Sequence, residues 1–407
     1  MANHTVNSMP KSVKALINPQ LLVWARKTAN VSLGDAAKKA GVSVAKLEEW
    51  EAGTDAPTIA KLRALADKYK RPLSVFYLAE LPRDFQPIGD YRRLPGEVAG
   101  VLSPRLTFEI RAAQDRRELA LSLYEDLAEQ PKPFPLRATK TDDPEALGLR
   151  VRAFLGITIE TQATWKDPRI AYNAWRDRIE NAGVLVFQTP PVARIPVKEM
   201  RGLAIAHDVL PIILVNAKDA YAGRSFTLMH ELGHITLRDS AISDFSQYTA
   251  DAPREPVAQR FEVFCNRVAA ATLMPRVDFL RQPTITANTT PTWSDEQLTT
   301  LAATFGVSTD AVLRRLLTFN LTTQAFFTVK RAEILAARKK FEEQQRKSTG
   351  GPPPHRAALG HLGAGFARLI LQNYYQQRIT LNDASNYLGL RLPHISKLEA
   401  LAYERAA

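Results

Sequence analysis

The stretch Ser225-Phe226-Thr227-Leu228-Met229-His230-Glu231-Leu232-Gly233-His234-Ile235-Thr236-Leu237 decides how the rest of the chain is read. On a helix, His230 and His234 stand one turn apart on one face, so both imidazoles can reach a single metal ion. Glu231 projects beside them, where a carboxylate can take a proton from a bound water. Phe226, Leu228, Met229, Leu232, Ile235 and Leu237 are apolar, as a buried helix requires, and Gly233 leaves room beside the histidines. The competing reading of the same residues is a core helix whose two histidines are satisfied by hydrogen bonds.

A hydrolytic zinc site takes three protein ligands and keeps one position open. No histidine lies between His234 and His355, and Ser240 stands where a longer motif would place a third one. A carboxylate therefore completes the set, and Glu262 is the best candidate. It lies in Phe261-Glu262-Val263-Phe264-Cys265-Asn266-Arg267-Val268-Ala269-Ala270-Ala271-Thr272-Leu273-Met274-Pro275, an Ala-rich segment that reads as a second helix ended by Pro275. Asn266 follows Glu262 by one turn on the same face, so it can hydrogen-bond the outer nitrogen of a liganding histidine.

Together these two segments resemble the ImmA/IrrE family of bacterial zinc metallopeptidases, in which H-E-x-x-H is followed by E-x-x-A-[ND] and a small-residue helix closing on L-M-P. The resemblance implies that His230, His234 and Glu262 ligate Zn2+ and that Glu231 is the general base. Cys265 departs from the family's usual Ala. A small buried thiol fits that place and can also approach the metal.

Residues 17–80 carry a series of short helical periods. Pro19 opens the first, Ser32 caps the second, and Gly41-Val42-Ser43 forms a turn into a third, Val44 to Ala52, that ends at Gly53. Thr58–Tyr69 and Ser74–Leu78 complete five helices. Leu33, Ala36, Gly41, Val42, Ser43, Leu47, Trp50, Glu51 and Gly53 make this segment similar to the XRE-type helix-turn-helix domain. Ser43 and Lys46 are the candidate nucleic-acid contacts. Glu48 and Glu49, on the same helix, face phosphate repulsion and offer little to base edges. The alternative is a helical scaffold that docks a protein or dimerises.

The 407 residues suggest two or three domains, and a formal charge of +12 favours polyanions or acidic partners. A single Cys excludes an intrachain disulfide and suits a reducing cytoplasm. No signal peptide and no membrane-spanning run is expected. The expected fold class is α+β and mostly α: a disordered start (1–16), the five-helix domain (17–80), a linker and helical region (81–165), a zincin-like metallopeptidase domain with a small sheet (166–330), and a helical tail (331–407). Trp165 and Trp175 read as core anchors.

Strands are expected at Val184–Phe187, Arg201–Ala206 and Pro211–Asn216, with Arg201–Ala206 as an edge that pairs with an extended peptide. Asp239–Arg260 reads as a mobile polar loop over the cleft. Tyr221, Tyr248 and Arg224 are the candidate oxyanion donors, while His207 reads as structural. Phe305-Gly306-Val307-Ser308 resembles another helix-turn-helix hinge. In the tail, Thr380–Leu390 can be laid on Ser32–Val42, which suggests a second helix-turn-helix unit. The layout resembles the family's toxin–antitoxin members, and the resemblance implies a protein partner, either a repressor or a toxin such as a PIN-like ribonuclease. DNA is a further partner to consider, and the sequence leaves the oligomeric state open.

Overall fold

A computed structural model describes residues 13–82, 102–238, 241–243, 257–345 and 351–404. It contains two compact units. The first holds residues 13–82 and the opening turns of a long helix up to Arg111; the second holds the chain from Ala112 onward. Among the described residues no helix is long and apolar enough to cross a membrane.

In the first unit, α1 (Pro19–Thr28), α2 (Leu33–Ala40), α3 (Val44–Ala52) and α4 (Ile59–Tyr69) surround a core of Leu21, Leu22, Ala36, Leu47, Trp50, Leu62, Leu65 and Phe76. Ser32, Ser43 and Thr58 each cap a helix by accepting a backbone N–H. Gly41 and Gly53 end α2 and α3 in the left-handed region, at φ 64° and 77°, where a side chain would strain the backbone. The fifth element, Leu73–Tyr77, is a single 3-10 turn rather than an α-helix, because Pro72 removes a donor and Leu78 is already extended. Lys14 bridges Thr58 and Ala15 is buried; residues 1–12 lie outside the described residues, as does most of the expected linker, 83–101. Helix α5 (Pro104–Asp126) follows, with Arg111 donating to the carbonyls of Tyr69 and Thr28.

The second unit is organised on α6 (Pro144–Leu155), α7 (Ile159–Ala163), α8 (Pro168–Asn181) and a four-stranded sheet: β1 (Leu185–Gln188), β2 (Gly202–Ile205), β3 (Ile212–Val215) and β4 (Ala241–Ser243). Helix α9 (Tyr221–Leu237) carries the histidine pair, and α10 (Val257–Leu273) packs against both α9 and α6. The close approach of α6 to α10 depends on Gly148. A Cβ there would fall 2.7 Å from that of Ala271 and 2.9 Å from the Thr272 backbone nitrogen. Five further helices, α11 (Arg276–Leu280), α12 (Pro283–Thr286), α13 (Asp295–Phe305), α14 (Thr309–Thr318) and α15 (Gln324–Gln345), follow. Four more, α16 (Pro354–Leu362), α17 (Ala364–Tyr375), α18 (Leu381–Leu388) and α19 (Ile395–Glu404), form the tail.

Sheet order is β1-β3-β2-β4, with β1 parallel to β3 and β2 antiparallel to both β3 and β4. Strands β1, β2 and β3 are buried at every position, which explains their unbroken apolar sequences. The segment expected as a peptide-binding edge is therefore interior: β2 pairs with Ile212–Val215 on one side and Ala241–Ser243 on the other. The three-residue β4 went unread because it is too short to show alternation. The rest of the expected cleft loop, 239–240 and 244–256, lies outside the described residues.

Candidate metal centre

Proline 275 ends α10 and leaves its last carbonyls without helical partners. Three buried side chains supply them. Arg152 donates to Thr272 O (2.9 Å), Gln162 to Leu273 O (2.9 Å) and Arg315 to Met274 O (2.7 and 3.0 Å). Arg315 also makes a forked ion pair with Glu145 (2.6 and 2.8 Å). Through these bonds α6, α7 and α14 fix α10, and α10 in turn presents Glu262 to α9.

Glu262 meets both imidazoles. Its Oε2 lies 3.1 Å from His230 Nε2, its Oε1 lies 3.1 Å from His234 Nε2, and the two Nε2 atoms are 3.1 Å apart. Atoms held about 2.0 Å from one ion in a tetrahedron stand about 3.3 Å apart. The three donors therefore already have nearly the spacing of three corners of a four-coordinate site. His230 and His234 are wholly buried and Glu262 is 3% exposed.

Protonation agrees with that use. Asn266 Oδ1 lies 3.1 Å from His230 Nδ1. An amide oxygen can only accept, so Nδ1 carries the hydrogen and Nε2 turns its lone pair inward. Burial lowers the pKa of His230, against the attraction of Glu262, so the ring is neutral. Burial pushes the Glu262 carboxyl up, but the two imidazoles beside it outweigh burial and hold it below the usual carboxylate range. Lone pairs and a carboxylate directed at one point form a set that a divalent cation fits. Among the described residues these three are the group able to hold a metal ion.

Cys265 does not join that group. Its thiol lies beside Gly233, where a Cβ would fall 3.3 Å from Sγ, and burial raises its pKa and keeps it protonated.

Glu231 is fully buried and points toward β2. A Cβ on Gly202 would fall 2.4 Å from Glu231 Oε1 and 2.4 Å from Thr227 Cγ2. Gly202 is a site residue that reading the sequence missed. The available signal was a glycine opening an otherwise apolar strand, which marks a place where another group comes close.

The other candidates are dispersed. Arg224 donates to Asp219 O, Ala217 O and Gln188 Oε1 and stacks on Tyr221, so its guanidinium is engaged at the start of α9. Tyr221 packs against Tyr172. Tyr248 lies outside the described residues. His207 is partly buried, its pKa pushed down to about 4 by burial and then by Arg117, and its carbonyl accepts from Arg238. In the first unit Ser43 Oγ caps α3 by accepting from Lys46 N–H, and Lys46 Nζ lies 2.7 Å from both Glu49 and Asp55.

An H-E-x-x-H helix closed by a glutamate from a second helix, beside a small mixed sheet, defines a metallopeptidase-like domain. Residues 179–317 match the family model of the IrrE N-terminal-like domain of the M78 peptidases, and residues 22–76 match the helix-turn-helix model. The chain thus joins an ImmA/IrrE-type peptidase domain to an XRE-type helix-turn-helix domain. No curated protein and no solved structure matches it.

Proposed function

We propose that this protein is a zinc-dependent regulatory metalloendopeptidase of the cytoplasm that binds and cleaves one specific protein partner. The partner is a repressor or a toxin of a bacterial stress or toxin–antitoxin system. The observation that carries the reading is the convergence of His230 Nε2, His234 Nε2 and Glu262 at 3.1 Å spacings next to Glu231. His230, His234 and Glu262 would hold the zinc, and their spacing leaves a fourth corner for water.

Bound there, zinc lowers the pKa of water from about 15.7 toward 7 and polarises the scissile carbonyl. Glu231 takes the proton of the attacking water and returns it to the departing amine. Asn266 holds His230 in the tautomer whose Nε2 faces the ion. Helix-turn-helix architecture in the chain makes DNA a further class of partner to test.

One observation favours a second reading, in which the zinc is structural and the protein a non-catalytic antitoxin or transcriptional regulator. Strand β4 pairs with β2 along Gly202–Ala204, the edge an extended substrate would take.

The test begins with metal content. One zinc per chain is expected, removable by chelator and bound at least tenfold more weakly in His230→Ala and Glu262→Ala. A wild-type protein that stays metal-free at saturating zinc overturns both readings. Glu231→Gln then separates them, because it should keep the zinc and stop cleavage of the partner that co-purifies with it. If toxin neutralisation or repression survives unchanged in Glu231→Gln, catalysis is not the task.

A further inference from the structure

Helices α17, α18 and α19 repeat the turn of the first unit's helix-turn-helix, with the same caps and turn bonds on α18 as on α2. Ser32 and Thr380 cap α2 and α18 by accepting from the N–H groups of Asp35 and Asp383, both at 3.1 Å. Gly41 and Gly389 end those helices in the left-handed region, at φ 64° and 58°. The chain then makes the same pair of bonds in each copy. Gly41 N–H reaches Lys38 O and Val42 N–H reaches Ala37 O; Gly389 N–H reaches Asn386 O and Leu390 N–H reaches Ser385 O.

Ser43 and Arg391 occupy the next N-cap, with a 3-10 turn opening the helix in the second copy. Beyond it Ile395 and Leu398 are buried where Leu47 and Trp50 are buried. Glu51, paired with Arg26 of α1 at 2.7 Å, is matched by Glu399, which accepts from Tyr375 Oη of α17 at 2.7 Å.

The two copies differ in charge on the helix that would enter a groove. In α3, Lys46 is neutralised by Glu49 and Asp55, and Glu48 is exposed. From Ala384 to Leu398 there is no carboxylate at all, while Arg391, Ser396 and Lys397 are exposed. Among the described residues, neither Arg391 nor Lys397 takes part in an ion pair. The positive charge is also local: besides burial, Lys397, His394 and Arg356 all lower the pKa of His355. His355 and His394 stack with centroids 6.3 Å apart.

We propose that α17–α19 is a second helix-turn-helix that binds duplex DNA, with α19 in the major groove and Arg391 and Lys397 on the flanking phosphates. Arg391 and Lys397 stand exposed at the start of α19, with its carboxylates further along at Glu399, bonded to Tyr375, and Glu404, so this end complements the phosphate backbone, whereas the start of α3 does not. The proposal is independent of any peptidase activity, and it assigns the DNA contact to the end of the chain rather than its beginning.

The test uses the full chain and a fluorescein-labelled mixed-sequence DNA duplex of about 25 base pairs, titrated between about 50 and 200 mM salt. The wild type should bind with a steep salt dependence, and Arg391→Ala/Lys397→Ala should lower the log–log slope by about two. The charge-retaining variant Arg391→Lys/Lys397→Arg should restore it, and Lys46→Ala should leave it unchanged. Both pairs are exposed, and an unaltered circular dichroism melt verifies folding. An RNA duplex of the same sequence should bind more weakly, because the A-form major groove is too narrow for a helix. An unchanged slope in the double alanine variant, loss of the slope in Lys46→Ala instead, or equal binding of the RNA duplex overturns the proposal.

Discussion

At the scale of single residues, the candidate site was legible where it obeys helical spacing and hidden where it depends on tertiary approach. His230, Glu231 and His234 lie within one turn and a half of helix, so their relation is visible in the sequence alone. Glu262 lies on another helix and became visible only through its own neighbours, Asn266 and the closing Leu-Met-Pro. Gly202 left almost no trace, because its role depends on where a strand passes over Glu231. That role is testable. In Gly202→Ala the new Cβ must displace the Glu231 carboxylate or the Thr227 methyl, both 2.4 Å away and both buried. Overpacking of this kind costs about 1–3 kcal/mol. Because Glu231 is not in the ligand triad, zinc stoichiometry should be unchanged. Under the proposed function, in which Glu231 is the general base, its displacement should slow partner cleavage by about a hundredfold or more. Full cleavage with an unshifted melting temperature would show that Glu231 does not need that space.

At the scale of elements, the three main strands, the helices of the first unit and the two helices of the candidate site fall within a few residues of the expected positions, because apolar runs and capping residues mark them directly. Pro104 opens α5 within the region expected only as linker and helix, as proline is well suited to a first helical turn. What the sequence did not disclose is how α10 is held in register. Its C-terminal carbonyls are satisfied by residues far away in sequence, and none of Arg152, Gln162 or Arg315 announces such a task. Arg315 is the most exposed to test. It is nearly inaccessible to solvent, with a side chain 2% exposed, and it binds Glu145 and the Met274 carbonyl together. Arg315→Met should leave that carbonyl and much of the Glu145 charge without a donor, a loss of about 3–5 kcal/mol. The urea midpoint of the peptidase-type unit should fall accordingly. In a double-mutant cycle with Glu145→Gln the two changes should be strongly non-additive. Additive effects would mean that the pair is a bystander and that helix packing alone fixes α10.

At the scale of the molecule, the helical character of the tail was readable, but its attachment was not. Helix α16 packs on β1, and His361 joins them. Its ring nitrogen Nδ1 is bonded to Gln188 O, and Arg116 Nη2 lies 2.7 Å from Nε2. A guanidinium can only donate, so Nε2 accepts and Nδ1 donates to the carbonyl, which requires a neutral ring. Arg176 and Glu180, buried together on α8, reinforce the attachment by binding Gly360 O and Gly365 N–H. Burial, and then the charge of Arg116, push the pKa of His361 down to about 4 from the ordinary 6.5. The folded state therefore disfavours the proton that the unfolded chain accepts. The stabilising contribution is complete above pH 6.5 and is lost progressively as pH falls toward 4, by about 3 kcal/mol in all. In His361→Gln the amide can make both bonds without titrating. Thermal melts of the two proteins should run parallel above pH 7, and the wild type should drop further than the variant between pH 6.5 and 4.5. Because His207 is depressed in the same direction and is present in both proteins, their difference isolates His361. Parallel melts down to pH 4.5 would mean that His361 does not hold the tail, leaving Arg176 and Glu180 as the groups that fasten it to the peptidase-type core.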